Sequence, residues 1–321
     1  MSDSALQDER CVVVGGAGAV GGLVVDLLAG AGADVVVVDV AAPPAEVAQV
    51  CAYARGDVCA MDARLVAEMR RADIVVLAVP ERVALAALPV LAPQLRPGGL
   101  LVDTLSVKTA IVAALAAHAA HVEAVSLNPM FAPALGFDGR AVAAVVVRDG
   151  PRARALLDAV GRRGGRVVEV GADQHDRVAA VTQALTHAAV LAFGVALDEL
   201  DIAVEDVGAL ATPPHVTLLA LLARIASGES ETYWDVQAGN PHARRARTAL
   251  AAGLVTLADA ADDRTGGDFA AILVRARQRL GPDCDAYARI CEELFLVARP
   301  PAPERGRRPA LTSAATGGAT P

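Results

Sequence analysis

CVVVGGAGAVGG, residues 11–22, is the stretch whose reading decides the fold. Four apolar residues without polar alternation read as a strand covered on both faces. The run passes directly into Gly16-Ala17-Gly18-Ala19-Val20-Gly21, a GxGxxG pattern opening a helix over 19–30. Glycines there permit a tight turn and close backbone approach to a pyrophosphate, and the helix N-terminus favours its charge. The next strand, DVVVVDV at 34–40, carries Asp39. A carboxylate at that distance suits the ribose hydroxyls of NAD and repels the 2′-phosphate of NADP. NAD is therefore the expected cofactor, held by Gly16, Gly18, Ala19, Val20, Gly21 and Asp39, with Val79 and Pro80 at a later strand end.

Outward from this stretch the chain keeps one rhythm to about residue 172. DIVVLAVP (73–80), GLLVDTL (99–105), AVSLNP (124–129), AVAAVVV (141–147) and RVVEV (166–170) read as further strands. Helix-length segments at 62–71, 82–94 and 107–119 separate the earlier ones. A βαβ series of this kind predicts α/β architecture, an N-terminal Rossmann-type doubly wound, mostly parallel sheet over 10–172. From 173 to 299 no convincing strand occurs. Helices are expected at 174–198, 203–211, 215–227, 231–238, 241–263, 267–280 and 283–298, forming an all-helical domain. Several are apolar on more than one face, which predicts a homodimer through this domain. Asp173-Gln-His-Asp176 reads as a helix N-cap with an acid three residues on. Residues 1–9 and 300–321 have the composition of disordered ends.

The composition narrows the partners. The chain has 321 residues, 54% hydrophobic and 21% charged, with net charge −8. No broad basic surface is expected, so nucleic acid is a poor partner, and 3% aromatic content offers few stacking platforms. Five cysteines without a CxxC pair or a Cys/His cluster predict buried thiols in a reducing cytoplasm and no metal. The uncharged run Val178–Leu197 is long enough to span a bilayer. Its Gln183 and His187 favour a helix buried on nearly all sides instead, with no membrane. The chain has 28 arginines and a single lysine, Lys108.

Three further segments give the pattern a family. Val102-Asp-Thr-Leu-Ser-Val-Lys108, Leu127-Asn-Pro-Met-Phe-Ala-Pro133 and Gln183-Ala-Leu-Thr-His187 resemble the prephenate dehydrogenase family, and Tyr233-Trp-Asp-Val236 fits its aromatic–Asp–aliphatic motif. The resemblance covers roughly 10–298. It implies a nucleotide-binding domain, a helical dimerisation domain, a site between them, and NAD(P)-dependent oxidative decarboxylation of a cyclohexadiene dicarboxylate.

The resemblance also assigns roles. Ser106, just past a strand end, would bridge nicotinamide and substrate, though a serine there also suits a helix cap. Lys108 suits either a substrate carboxylate or a structural one such as Asp103. His187 would bind substrate, with Gln183 one turn earlier lining the pocket and Tyr233 nearby. The family motif has histidine where this chain has Asn128. An amide accepts a hydrogen bond but takes up no proton near neutrality, and losing a general base costs about 10²–10⁴ in rate. An amine at C4 of the ring removes that need, because its nitrogen lone pair assists departure of hydride. The expected reaction is therefore oxidation of 4-amino-4-deoxyprephenate to 4-aminophenylpyruvate, an aminophenylalanine-type precursor for antibiotics. Prephenate or arogenate oxidation, with His187 or His215 as base, is the alternative. A catalytically inactive NAD-binding regulatory homologue is the second. Val216 stands where the family often has a carboxylate-binding arginine. His215, Arg224 and Arg244, Arg245 or Arg247 of a partner are the candidate replacements.

Overall fold

The structure is a computed structural model, and it describes residues 6–42, 51–200, 207–208 and 210–300. The expected helix over 203–211 and the two terminal tails fall largely outside these residues. The chain divides into two compact units. One comprises residues 1–180 and 234–242, the other 181–233 and 243–321.

The first unit is built on one eight-stranded sheet. Its strands are β1 (Arg10–Val14), β2 (Asp34–Asp39), β3 (Ala52–Arg55), β4 (Ile74–Leu77), β5 (Leu100–Asp103), β6 (Glu123–Pro129), β7 (Ala141–Arg148) and β8 (Arg166–Glu169). Their spatial order is β3-β2-β1-β4-β5-β6-β7-β8. Every neighbouring pair is parallel except β6 with β7. The helices are α1 (Ala19–Gly30), α2 (Ala63–Arg71), α3 (Glu81–Leu91), α4 (Thr109–His118), α5 (Pro151–Arg162) and α6 (Ala172–Ala179).

The valine runs are apolar throughout because both faces of the sheet are covered. Alternate residues of β1 and β2 point to opposite sides. Cys11, Val13, Val35 and Val37 pack in one core with residues of α1 and α5. Val12, Val14, Val36 and Val38 pack in another with residues of α2, α3 and α4. The parallel strands carry their C-terminal ends to one edge. That edge therefore gathers the loop after β1, Asp39, Val79 and Pro80 after β4, Ser106 after β5 and Asn128 near the end of β6. β1 lies between β2 and β4, which is where the strand order reverses and where doubly wound sheets open a ligand crevice.

Several features depart from the sequence expectation. β3 was not anticipated: AYAR is short, ends in a charged residue and pairs only with β2. The Tyr53 hydroxyl donates to the carbonyl of Ala41 at 2.7 Å, tying this edge to the end of β2. Asp173 is not an N-cap. Gly171 occupies that position of α6 without a side-chain cap. Of the five thiols only Cys11 is buried, and Cys59 is exposed. The contact boundary falls after Ala180, and Trp234–His242 belongs with the sheet unit.

The second unit is helical over its described residues: α7 (Thr186–Glu199), α8 (Pro213–Ala226), α9 (Ser230–Trp234, whose last residue belongs to the first unit), α10 (Ala243–Asp262), α11 (Gly267–Leu280) and α12 (Cys284–Val297). A π-turn over Ala180–Leu185 precedes α7. A Cβ on Gly194 would lie 2.9 Å from Leu222, so glycine lets α7 and α8 approach closely. Helical residues Ala172–Glu199 are long and apolar enough to cross a membrane by length and composition. Burial on nearly all sides does not occur within the single chain, since Val178, Val181 and Val195 are each more than half exposed. The apolar residues Leu254, Leu273, Ile290 and Leu296 are likewise exposed.

Candidate active site

The glycine loop fits a dinucleotide. Gly15 has φ +80°, a conformation that favours glycine, and its N–H donates to the carbonyl of Val38 at 2.8 Å. A Cβ on Gly16 would meet Val37 at 2.8 Å, and one on Gly21 would collide with the Gly15 carbonyl. Gly18 differs: the nearest atom to an added Cβ is 3.4 Å away. That open face lies at the N-terminus of α1, where Gly18 is the cap residue and contributes no side chain. Backbone N–H groups and free space there suit a pyrophosphate. Asp39 is half-buried beside the loop. One carboxylate oxygen accepts from Ala17 N at 3.1 Å and the other from Ala41 N at 3.0 Å. Both oxygens keep lone pairs for ribose hydroxyls, and the charge opposes a 2′-phosphate. Asp39→Ser should lower the NAD-over-NADP preference in kcat/KM at least about tenfold, because it removes that charge and loosens the loop. Steady-state kinetics with the two cofactors checks it.

Beneath the Ser106 turn lies a buried polar cluster. Lys108 is fully buried and its ammonium has been taken up by structure. It donates to the carbonyl of Leu127 at 2.7 Å and to Asp103 Oδ1 at 3.3 Å. Asp103 Oδ1 also accepts from the Ser126 hydroxyl at 2.9 Å and from Leu105 N at 3.1 Å. Of the two expectations for Lys108, the contact the structure shows is with a structural carboxylate, Asp103. Burial pushes its pKa below the ordinary lysine value, with Asp103 opposing. Ser106 stays partly exposed. It is not needed as a cap for α4, because another residue does that work.

That residue is Asp176. Its carboxylate accepts from Lys108 N at 2.8 Å, from Thr109 N at 2.9 Å and from the Thr109 hydroxyl at 2.5 Å, closing the open first turn of α4 from a distant helix. Burial alone would raise its pKa, but hydrogen bonds from His175, Thr109 and the two backbone N–H groups outweigh it and lower the value. His175 Nδ1 lies 2.8 Å from Asp176 Oδ1, and His175 Nε2 lies 3.0 Å from Asn128 Nδ2. All three side chains are buried. Asn240, from the returning segment, donates to the backbone carbonyl of Asp176 at 2.8 Å. Sequence reading missed His175 and gave Asp176 the wrong helix. The one signal available was a His-Asp pair at the start of a helix.

Glu81, next to Pro80, was also missed. Its backbone N–H donates to Asp235 at 3.4 Å. Burial, then the charges of Asp235, Asp176 and Asp103, push its pKa above the usual carboxylate value.

In the helical unit, His187 packs edge-on to Tyr233 with ring centroids 5.0 Å apart. Burial, then the charge of Arg224, holds its pKa below the ordinary histidine value. Among the described residues, His187 Nδ1 and Gln183 Oε1 are buried without a hydrogen-bond partner. Orphaned buried polar atoms are costly and uncommon away from functional sites. His215 packs edge-on to Phe193 at 5.6 Å. Arg224, Arg244 and Arg245 are exposed. Among the described residues no group of three or more His, Cys, Asp or Glu side chains could hold a metal.

A doubly wound sheet with this loop, an acid at the end of the second strand and a polar cluster beside it defines an NAD-dependent oxidoreductase. A family model described as "Prephenate dehydrogenase, nucleotide-binding domain" matches residues 29–144, beginning after the glycine loop. The chain is 51% identical over 290 residues to a 4-amino-4-deoxyprephenate dehydrogenase of Streptomyces pristinaespiralis, covering 89% of this chain and 96% of that one. The chain belongs to the prephenate dehydrogenase family. In fold it resembles a crystal structure of prephenate dehydrogenase from A. aeolicus in complex with hydroxyphenyl propionate and NAD+, with TM-score 0.68 at 18% identity over 84% of this chain and 96% of that one. It also resembles a Synechocystis arogenate dehydrogenase, with TM-score 0.63 at 18% identity over 87% and 99%.

Proposed function

We propose that the protein oxidatively decarboxylates 4-amino-4-deoxyprephenate, giving 4-aminophenylpyruvate and CO₂. The observation that carries this is the state of Asn128. It is buried, its amide nitrogen is spent on His175 Nε2, and it stands where the family motif has a histidine. The 51% identical relative of that name supports the same reading.

Bound NAD supplies the hydride acceptor; the protein supplies binding, orientation and a dry site. Gly16, Gly18 and the N-terminus of α1 hold the pyrophosphate, and Asp39 holds the ribose. Val79 and Pro80, after β4, would hold the nicotinamide end of the cofactor. The Ser106 hydroxyl, partly exposed, would donate to one ligand and accept from the other. The Asn128 amide oxygen accepts an N–H of the C4 amine and orients it, so that the nitrogen lone pair delocalises into the ring as C4 is oxidised. A hydroxyl at C4 is a weaker electron donor unless a base draws on its proton as the carbonyl develops, and a neutral amide is not such a base. In the helical unit, His187 and Gln183 carry buried polar atoms without a partner among the described residues, which supports their role in binding substrate, and Tyr233 packs on His187. His215 and the exposed arginines are the available groups for its carboxylates.

The experiment is NADH formation on prephenate and on its 4-amino analogue. The amine should be turned over at least about tenfold better in kcat/KM, and equal or better turnover of prephenate overturns the reading. Asn128→His should raise prephenate turnover by about 10² while lowering that of the amine, since it restores a group that accepts a proton. No gain with prephenate would remove Asn128 as the discriminator.

The wider reading follows from the same features. The product would supply an aminophenylalanine-type precursor for antibiotic assembly. The exposed apolar residues of the helical unit, Leu254, Leu273, Ile290 and Leu296 among them, support a homodimer through that unit. Residues Ala172–Glu199 open with His175 and Asp176 buried in the sheet unit, which supports a cytoplasmic protein over a membrane one. The net charge of −8 supports small-molecule over nucleic-acid partners.

A further inference from the structure

We propose that His175 is a positioning residue that fixes which way the Asn128 amide faces, with Asp176 setting its tautomer. The inference deepens the reading above and rests on it for the chemistry of the substrate. Asp176 is held by three donors from the start of α4 and by Asn240 on its own backbone carbonyl. It is thus a fixed acceptor, and the ring nitrogen facing it, His175 Nδ1 at 2.8 Å, carries the proton. The other nitrogen, Nε2, then presents a lone pair to Asn128 at 3.0 Å. A lone pair accepts only a donor, so the NH₂ of the amide faces His175 and the oxygen faces away. With both side chains almost wholly buried, no water competes for this arrangement. An unsupported amide could turn by half a rotation at little cost, presenting a donor where the site needs an acceptor. The dyad removes that freedom. It lies behind Asn128 and passes no proton through it, because an amide is not a relay near neutral pH.

A double-mutant cycle tests this. His175→Leu should lower kcat on the amine about 10–50-fold, with KM for NAD within about twofold of the parent. In an Asn128→Ala background the same change should cost less than about threefold, because there is no amide left to orient. His175→Gln, whose side chain reaches Asn128 with an acceptor oxygen, should retain activity within about fivefold. His175→Asn, which is too short to reach it, should not. If His175→Leu fails to fold, the contrast between Gln and Asn decides the matter. Equal losses in both backgrounds, or equal activities of the Gln and Asn variants, overturn the proposal.

The cycle is read with whichever of the two substrates the parent turns over. A parent that prefers prephenate therefore refutes the substrate reading without deciding this one. Should neither be turned over, the Asn128 side-chain amide resonances, assigned through Asn128→Asp, give the readout. Slow hydrogen exchange in the parent and fast exchange in His175→Leu support the contact, and equal exchange overturns it.

Discussion

Lys108→Met should lower the melting temperature by about 10 °C and abolish dehydrogenase activity. The lysine is paired with Asp103 at 3.3 Å, and both groups are fully buried. Removing it strands a carboxylate in the core, which costs about 3–5 kcal/mol. For a domain of this size each kcal/mol is worth about 2–4 °C. The carbonyl of Leu127 loses its donor in the same step, next to Asn128. Lys108→Arg should also destabilise, by about 1–3 kcal/mol, since a guanidinium is bulkier and planar in a site without room. Lys108→Met with Asp103→Leu should recover much of the loss in stability, and little of the activity, because no charge is then left buried. Differential scanning fluorimetry and urea titration of the three variants provide the check. Unchanged melting in Lys108→Met would show that the ion pair contributes nothing.

Gly21→Ala should abolish measurable NAD binding, a loss of at least about 10²-fold. The added methyl would fall on the Gly15 carbonyl and 2.7 Å from Gly16 Cα, both of them backbone. Neither can swing aside as a side chain does, so the turn must open and α1 must shift from β1. Gly18→Ala is the instructive control. Its methyl meets nothing closer than 3.4 Å within the protein, so melting should stay within about 2 °C of the parent while NAD affinity drops. Calorimetric NAD titrations with the melting curves separate a broken loop from a blocked one. Equal stability and equal affinity in both variants would mean that the loop does not cradle the cofactor.

The features legible in the sequence are those whose signal is local. The valine runs and the glycine loop each announce themselves within about a dozen neighbouring residues, and Asp39 by standing at the end of the next strand. Asn128 was legible through its departure from a motif. The unread features are contacts made across the chain. Asp176 caps a helix 67 residues away, and His175 meets Asn128 from 47 residues away. Nothing in DQHD distinguishes a helix that caps itself from one that caps another. Lys108 was left between two roles because a charge at a strand end reads alike whether it faces a ligand or the core; in the fold it is completely buried and bonded to Asp103 and Leu127. β3 escaped because four residues with an arginine at one end carry too little pattern.

The return of Trp234–His242 to the sheet unit has a consequence for engineering. The nucleotide-binding half is not a cassette that ends where the first long run of residues ends. The chain leaves it after Ala180, comes back at Trp234 and leaves again after His242. A fragment stopped at the first exit would forfeit Asn240 and the clamp it places on Asp176. A chimaera joining this half to another helical half must carry two splices more than a simple graft, or lose the clamp that steadies His175 behind Asn128. Swapping substrate preference within the family is therefore better attempted by point changes around Asn128 than by exchanging domains.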